Sequence, residues 1–142
     1  MNIQLLSDLH LEAHPHFVPE PAPGADVLVL AGDVGSYQPG SQLADDDFGL
    51  ARFSPLPQHA GWPTPVLFVP GNHEYDAQDF DAAHLRLRQT CDRLGITWLE
   101  RDTPPSTIAV ATCSPLASTR IVSSICTASS RVGARISARG SS

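Results

Sequence analysis

The sequence contains no lysine, and its nine arginines are outnumbered by fifteen carboxylates, which gives 142 residues a formal net charge of −6. This balance disfavours a nucleic-acid backbone or an anionic membrane surface as a partner. No apolar run is longer than the five residues Val27–Ala31, whereas a membrane-spanning helix needs roughly 18. The start of the chain at Met1 also lacks the basic residues of a signal peptide. We therefore expect a cytoplasmic protein without a membrane partner.

Cysteine is scarce, and the three that occur, Cys91, Cys113 and Cys126, are widely spaced without a CxxC pair. They indicate neither a disulfide framework nor a zinc knuckle. The length predicts one domain, but the composition changes along the chain. All carboxylates lie within residues 8–102, and serine, threonine, alanine and arginine dominate from residue 104 onward. We predict a domain over residues 1–111 and a Ser/Arg-rich tail over 112–142, which is either disordered or translated from a shifted reading frame.

Three short apolar runs, at residues 3–6, 27–31 and 66–69, each end abruptly in polar residues. Continuous runs of Val, Leu, Ile and Phe that are bounded by Gly or Pro predict buried strands of a sheet covered on both faces. The gaps between them, about twenty and thirty-five residues long, are sufficient for the crossovers that parallel strands require.

A helix is predicted over residues 79–94, with a stripe of apolar positions, Asp79 and Asp81 at its start and Gly95 after its end. The stripe consists of Phe80, Ala83, Leu87, Cys91 and Leu94. We expect a fourth strand at 96–99, a fifth at 107–111, and at most one short helix within the proline-rich stretch, over residues 42–53. This order of elements predicts an α/β layered fold.

Polar residues follow each of the three strong strands. Asp8 and His10 follow the first, Asp33 follows the second, and Asn72 and His73 follow the third. In an extended segment, residues two apart project to the same side, and the carboxyl ends of parallel strands meet at one edge of the sheet. This mixed set of nitrogen and oxygen donors suits Mn²⁺, Fe or Zn²⁺. The alternative is that these residues only cap helices or close turns.

Three segments carry a resemblance to a known family: Asp8-Leu9-His10, Gly32-Asp33 and Gly71-Asn72-His73-Glu74. They resemble the first three motifs of the calcineurin-like metallophosphoesterase family, in particular its small bacterial members. The likeness extends to about Asp102. The resemblance implies a layered α/β/β/α sandwich, of which this chain holds the amino-terminal half.

The resemblance also implies a site with two divalent metal ions, Mn, Fe or Zn, that hydrolyses small phosphate mono- or diesters. Asp8 and His10 would bind the first metal, Asp33 would bridge both, and Asn72 would bind the second. His73 would donate a proton to the leaving group or stabilise the transition state. Glu74 would either orient His73 or lie at the surface of a turn.

The chain departs from the family pattern after the helix. The family's later motifs supply further metal-binding histidines, including a Gly-His-x-His pattern, but no histidine follows His84 here. We therefore expect weak binding of a single metal ion and little or no turnover by this chain alone. The alternative is a non-catalytic, truncated or frame-shifted product that retains a partial metal-binding edge. The sequence leaves the substrate and the oligomeric state open.

Overall fold

The computed structural model of the protein describes residues 1–99 and the backbone of residues 120–123. Within this part of the chain, five parallel strands form one sheet in the order β4-β3-β2-β1-β5. The strands are β1 (Asn2–Leu6), β2 (Val27–Ala31), β3 (Val66–Val69), β4 (Thr97–Trp98) and β5 (Arg120–Ser123). The predicted α/β class is confirmed, and the sheet agrees with the amino-terminal half of the layered sandwich.

Strands β1 to β3 lie where the apolar runs predict them, and β4 is shorter than the predicted 96–99. No sequence pattern predicts strand β5. It pairs with β1, so that Arg120 lies opposite Asn2. Its sequence shows no clear period, and the pairing with β1 defines it as a strand. The strand predicted at 107–111 lies outside the described residues, as does most of the predicted tail.

Helix α1 (Phe80–Leu94) confirms the helix prediction together with both of its ends. The Asp79 side chain accepts a hydrogen bond from the Ala82 N–H at 3.0 Å, and Gly95 ends the helix with a φ of 67°. The buried side of α1 consists of Ala83, Leu87, Thr90, Cys91 and Leu94. No helix in the described part of the chain has the length and apolarity to cross a membrane.

Phe80 is the exception in the predicted apolar stripe, because 57% of it is exposed. It lies in the first turn of α1, and its ring stacks on that of Tyr75 with the centroids 4.5 Å apart. Phe80 therefore follows the helical period of the predicted stripe without belonging to the buried side of α1.

The sheet is buried unequally on its two faces. Leu28 and Leu30 of β2 are fully buried in a core cluster with Leu87 of α1, whereas Val27 and Val29 are only half-buried. Because side chains alternate between the faces of a strand, one face carries the core. Among the described residues, the face of Leu28 and Leu30 is fully buried and the opposite face of β2 is only partly covered.

The long connection between β2 and β3 contains only a 3₁₀ turn at Leu50–Phe53 in place of the short helix predicted at 42–53. Phe48 and Gly49 have φ values of 56° and 75°, which a right-handed helix cannot accommodate. Arg86 of α1 holds this connection against the helix. It pairs with Asp46 at 3.1 Å, and its guanidinium carbon lies 4.8 Å from the ring centre of Phe48.

Candidate metal centre

The loops after β1 and β2 continue the parallel pairing beyond the ends of the strands. Three backbone N–H groups of the first loop donate to three carbonyl oxygens of the second: Asp8 to Gly32 at 3.1 Å, His10 to Asp33 at 3.1 Å, and Leu11 to Val34 at 2.9 Å. These hydrogen bonds hold the two polar loops side by side at the carboxyl edge of the sheet.

The backbone at this edge is strained. Asp8, His10 and Asp33 have φ values of 54°, 46° and 54°, a left-handed conformation that costs non-glycine residues about 1 kcal/mol each. Because β1 ends at Leu6, the segment of Asp8 and His10 is not extended. The argument that an extended backbone points both side chains to the same side is therefore wrong.

His10, Asp33 and His73 form a group that could hold a metal ion, since one ligand atom from each lies within 4.8 Å of the others. The two imidazole rings meet edge to face, with centroids 4.8 Å apart and an interplanar angle of 81°. The His73 N–H donates to Asp33 Oδ1 at 3.0 Å and so ties the third loop to the second. Two imidazoles and a carboxylate suit Zn²⁺, Fe or Mn²⁺, so the donor set fits the divalent ion that the sequence predicts.

Each imidazole of the group contacts a carboxylate through Nδ1. His10 Nδ1 lies 3.0 Å from Glu12 Oε1, and His73 Nδ1 lies 2.5 Å from Asp76 Oδ2. Carboxylates in these positions orient metal-binding histidines. Burial lowers the pKa of His73, but the hydrogen bond to Asp76 and the charge of Asp33 raise it, and the net pKa lies above its ordinary value.

Glu74 is fully buried and holds the second and third loops together. Its Oε1 accepts the Val34 N–H at 2.6 Å, and its Oε2 accepts those of Asp33 at 3.2 Å and Gly71 at 2.8 Å. Burial raises the pKa of Glu74 above its ordinary value, although these backbone donors lower it in part. Neither role predicted for Glu74 is correct, because it contacts the loop backbones and is not at the surface.

Gly71 and Gly32 allow the second and third loops to approach this closely. A Cβ on Gly71 would lie 2.2 Å from Asp33 Oδ1, and one on Gly32 would lie 2.8 Å from the Gly71 Cα. Real Cβ atoms do not come that near to other atoms. The two glycines are therefore required by contact between the loops, and Gly32 also has a φ of 78°.

The other two predicted ligands lie at the same edge but are more exposed. Asp8 is exposed and outside the group of three, and Asn72 is exposed at the start of a 3₁₀ turn over His73–Tyr75 without a side-chain hydrogen bond to that turn. Their roles as ligands stay predictions. His73 lies among the candidate ligands, and its predicted role as a proton donor also stays a prediction.

Sequence reasoning does not single out Glu12 or Asp76, the carboxylates that contact the two histidines. The sequence does contain a signal for Glu12, because Glu12 follows His10 by two residues, just as His10 follows Asp8. Asp76 lies three residues after His73, within reach of its ring once the 3₁₀ turn forms. No apolar pattern predicts that turn.

Comparison with known proteins gives a family match that includes the residues at this edge of the sheet. A family model described as calcineurin-like phosphoesterase matches residues 1–122. No curated protein and no solved structure matches the chain. The match covers all three loops of the candidate metal centre and extends past the boundary at residue 111 that composition predicts. The chain belongs to the calcineurin-like phosphoesterase family.

Proposed function

We propose that this domain hydrolyses small phosphate mono- or diesters with the help of divalent metal ions. The observation that carries the proposal is the convergence of His10, Asp33 and His73 from three separate loops. Membership of the phosphoesterase family supports it independently. When bound at such a site, divalent ions polarise phosphoryl oxygens and lower the pKa of a water.

We assign metal binding to His10 and Asp33, together with Asp8 and Asn72 at the same edge. The complete site would hold two ions, Mn, Fe or Zn, with Asp33 between them. Asp33 is already fixed on two sides, because its N–H donates to Glu74 and its carboxylate accepts the His73 N–H. Its carboxylate would therefore need little reorganisation to bind a cation.

His73 would supply a proton to the oxygen of the leaving group. Its Nδ1 is occupied by Asp76, so Nε2 is the atom that remains for substrate. The carboxylates around the ring favour its protonated form, which is the form that a general acid needs. The same Nε2 could instead bind metal, and the Mn²⁺ affinity of a His73→Ala variant separates the two roles, because only the loss of a metal ligand would weaken it.

The substrate we propose is a small phosphoester. The net charge of −6 repels long polyanions more strongly than a compact anion that is neutralised by metal ions. A cytoplasmic location is part of the same proposal and rests on the sequence alone.

The test is hydrolysis of bis(4-nitrophenyl) phosphate and 4-nitrophenyl phosphate by the purified chain with added Mn²⁺. We expect slow turnover that stops with a chelator and is lost in Asp33→Asn, which removes a charge from the centre. The control is Asp81→Asn, since Asp81 is exposed on α1. Turnover that survives in Asp33→Asn would contradict the proposed site.

A second candidate function is metal binding without catalysis. It is favoured by the group of only three His, Asp, Glu or Cys ligands in the described residues and by the lack of histidine after His84. Saturable Mn²⁺ binding without measurable hydrolysis would favour this second function.

A further inference from the structure

Glu12 is a buried carboxylate that contacts the candidate metal centre through His10. Only 4% of its side chain is exposed, and its Oε1 lies 3.0 Å from His10 Nδ1. Its Oε2 is buried without a hydrogen-bond partner in the described part of the chain. Glu12 is outside the group of three ligands, so its contact with the centre is indirect.

The chemistry of this contact determines which nitrogen of His10 faces a cation. A carboxylate accepts hydrogen bonds and donates none, so the contact requires the ring proton on Nδ1. A neutral imidazole with its proton on Nδ1 keeps the lone pair on Nε2, where a metal can bind. A cation bound there would also offset the cost of burying the Glu12 carboxylate with one oxygen unpaired.

We propose that Glu12 is a positioning residue, which holds His10 in the Nδ1–H tautomer and so presents Nε2 to a divalent cation. This inference rests on the proposed function, because that function makes His10 a metal ligand. The backbone on both sides of His10 is anchored, since Leu9 and Leu11 are 3% and 0% exposed. Backbone and ring are thus both fixed before any cation binds.

His73 and Asp76 provide an internal comparison. Their contact has the same form, but 38% of the Asp76 side chain is exposed, compared with 4% for Glu12. Water competes for the Asp76 carboxylate and weakens its hold on the ring. The Asp76 contact is the shorter of the two, at 2.5 Å compared with 3.0 Å, so the two contacts differ in solvent exposure and in length.

The first test needs no metal and no variant. Nitrogen-15 NMR of the imidazole rings in the full metal-free chain, recorded where the rings are neutral, reports which nitrogen carries the proton. We expect His10 in the Nδ1–H form. A His10 ring in the Nε2–H form would overturn the inference.

The second test is Mn²⁺ affinity, measured by titration calorimetry for the unchanged chain, Glu12→Gln and Glu20→Gln. The amide introduced by Glu12→Gln can donate to Nδ1 and favour the wrong tautomer, so we expect affinity to fall by about 10- to 100-fold. Glu20→Gln is the matched control, because Glu20 is exposed on the same loop, and it should bind as the unchanged chain does. Unchanged affinity in a folded Glu12→Gln chain would overturn the inference.

The two tests separate this inference from the proposed function. If the unchanged chain binds no Mn²⁺, the proposed function fails. The tautomer of His10 still shows in that case whether Glu12 orients the His10 ring. If Glu12→Gln does not fold, the tautomer measured in the unchanged chain is the deciding result.

Discussion

At the carboxyl edge of the sheet, the backbone of Asp8, His10 and Asp33 takes positive φ values, whereas α1 runs from an aspartate cap to a glycine cap without an irregular residue. The helix is held by apolar side chains that recur with the helical period. The edge is held by hydrogen bonds between polar side chains and loop backbone. Stability and site geometry therefore depend on different interactions in the two regions.

The comparison of the edge with α1 shows which contacts hold the strained backbone of the edge in place. The left-handed residues of the edge lie between buried anchors, with Leu9 and Leu11 on one loop and Glu74 beneath the other two. A strained backbone of this kind persists only where many surrounding contacts hold it in place. Helix α1 contains no residue with positive φ, so its contribution to stability should follow the apolar area that it buries.

The largest expected effect comes from removing Glu74. Glu74→Ala would leave the N–H groups of Asp33, Val34 and Gly71 without their acceptor, and we expect a loss of about 3–5 kcal/mol in the free energy of unfolding. Urea denaturation followed by circular dichroism measures it. Glu20→Ala, at an exposed carboxylate, should change stability by less than about 0.5 kcal/mol. Equal stability of the two variants would show that the loops do not depend on Glu74.

A second prediction tests the apolar packing of α1 instead of the hydrogen bonds of the edge. Leu87 is fully buried and Leu85, two residues earlier in the same helix, is 58% exposed. We expect Leu87→Ala to lower the free energy of unfolding by about 3 kcal/mol and Leu85→Ala to lower it by less than about 0.5 kcal/mol. A similar loss in both variants would contradict the packing of α1 on the sheet.

The last prediction is that the thiol of Cys91 does not react with an alkylating reagent in the native chain. Burial, and to a lesser degree the charge of Asp92, raises the pKa of the Cys91 thiol to about 12. Because the thiolate is the reactive form, Cys91 should stay unmodified by iodoacetamide in the native chain and react once guanidinium chloride unfolds it. Peptide mapping by mass spectrometry distinguishes Cys91 from the other cysteines. Rapid native labelling of Cys91 would mean that the core beneath α1 opens readily.

The same contrast explains what the sequence predicts well. Helix α1 and strands β1 to β3 follow from apolar periodicity and from local end signals such as Asp79 and Gly95. The three polar loops follow from the position of His10, Asp33 and His73 directly after strands. These features depend on near neighbours in the chain.

Other features depend on contacts that no local pattern carries. Glu74 lies about forty residues from Asp33 and Val34, whose N–H groups donate to it, so only the folded sheet brings them together. Strand β5 is defined by pairing with β1, more than a hundred residues earlier. Phe80 satisfies the helical period and is nevertheless exposed, with its ring stacked on that of Tyr75.

The central claim is that the carboxyl edge of the sheet is a metal centre built on Asp33. Titration calorimetry with Mn²⁺ on the full chain tests it most directly, with Asp33→Asn beside Asp81→Asn, which lies on the exposed side of α1. We predict saturable binding by the unchanged chain and by Asp81→Asn, and binding weakened by at least about tenfold in Asp33→Asn. Binding that is absent from the unchanged chain, or equal in all three proteins, would contradict this claim.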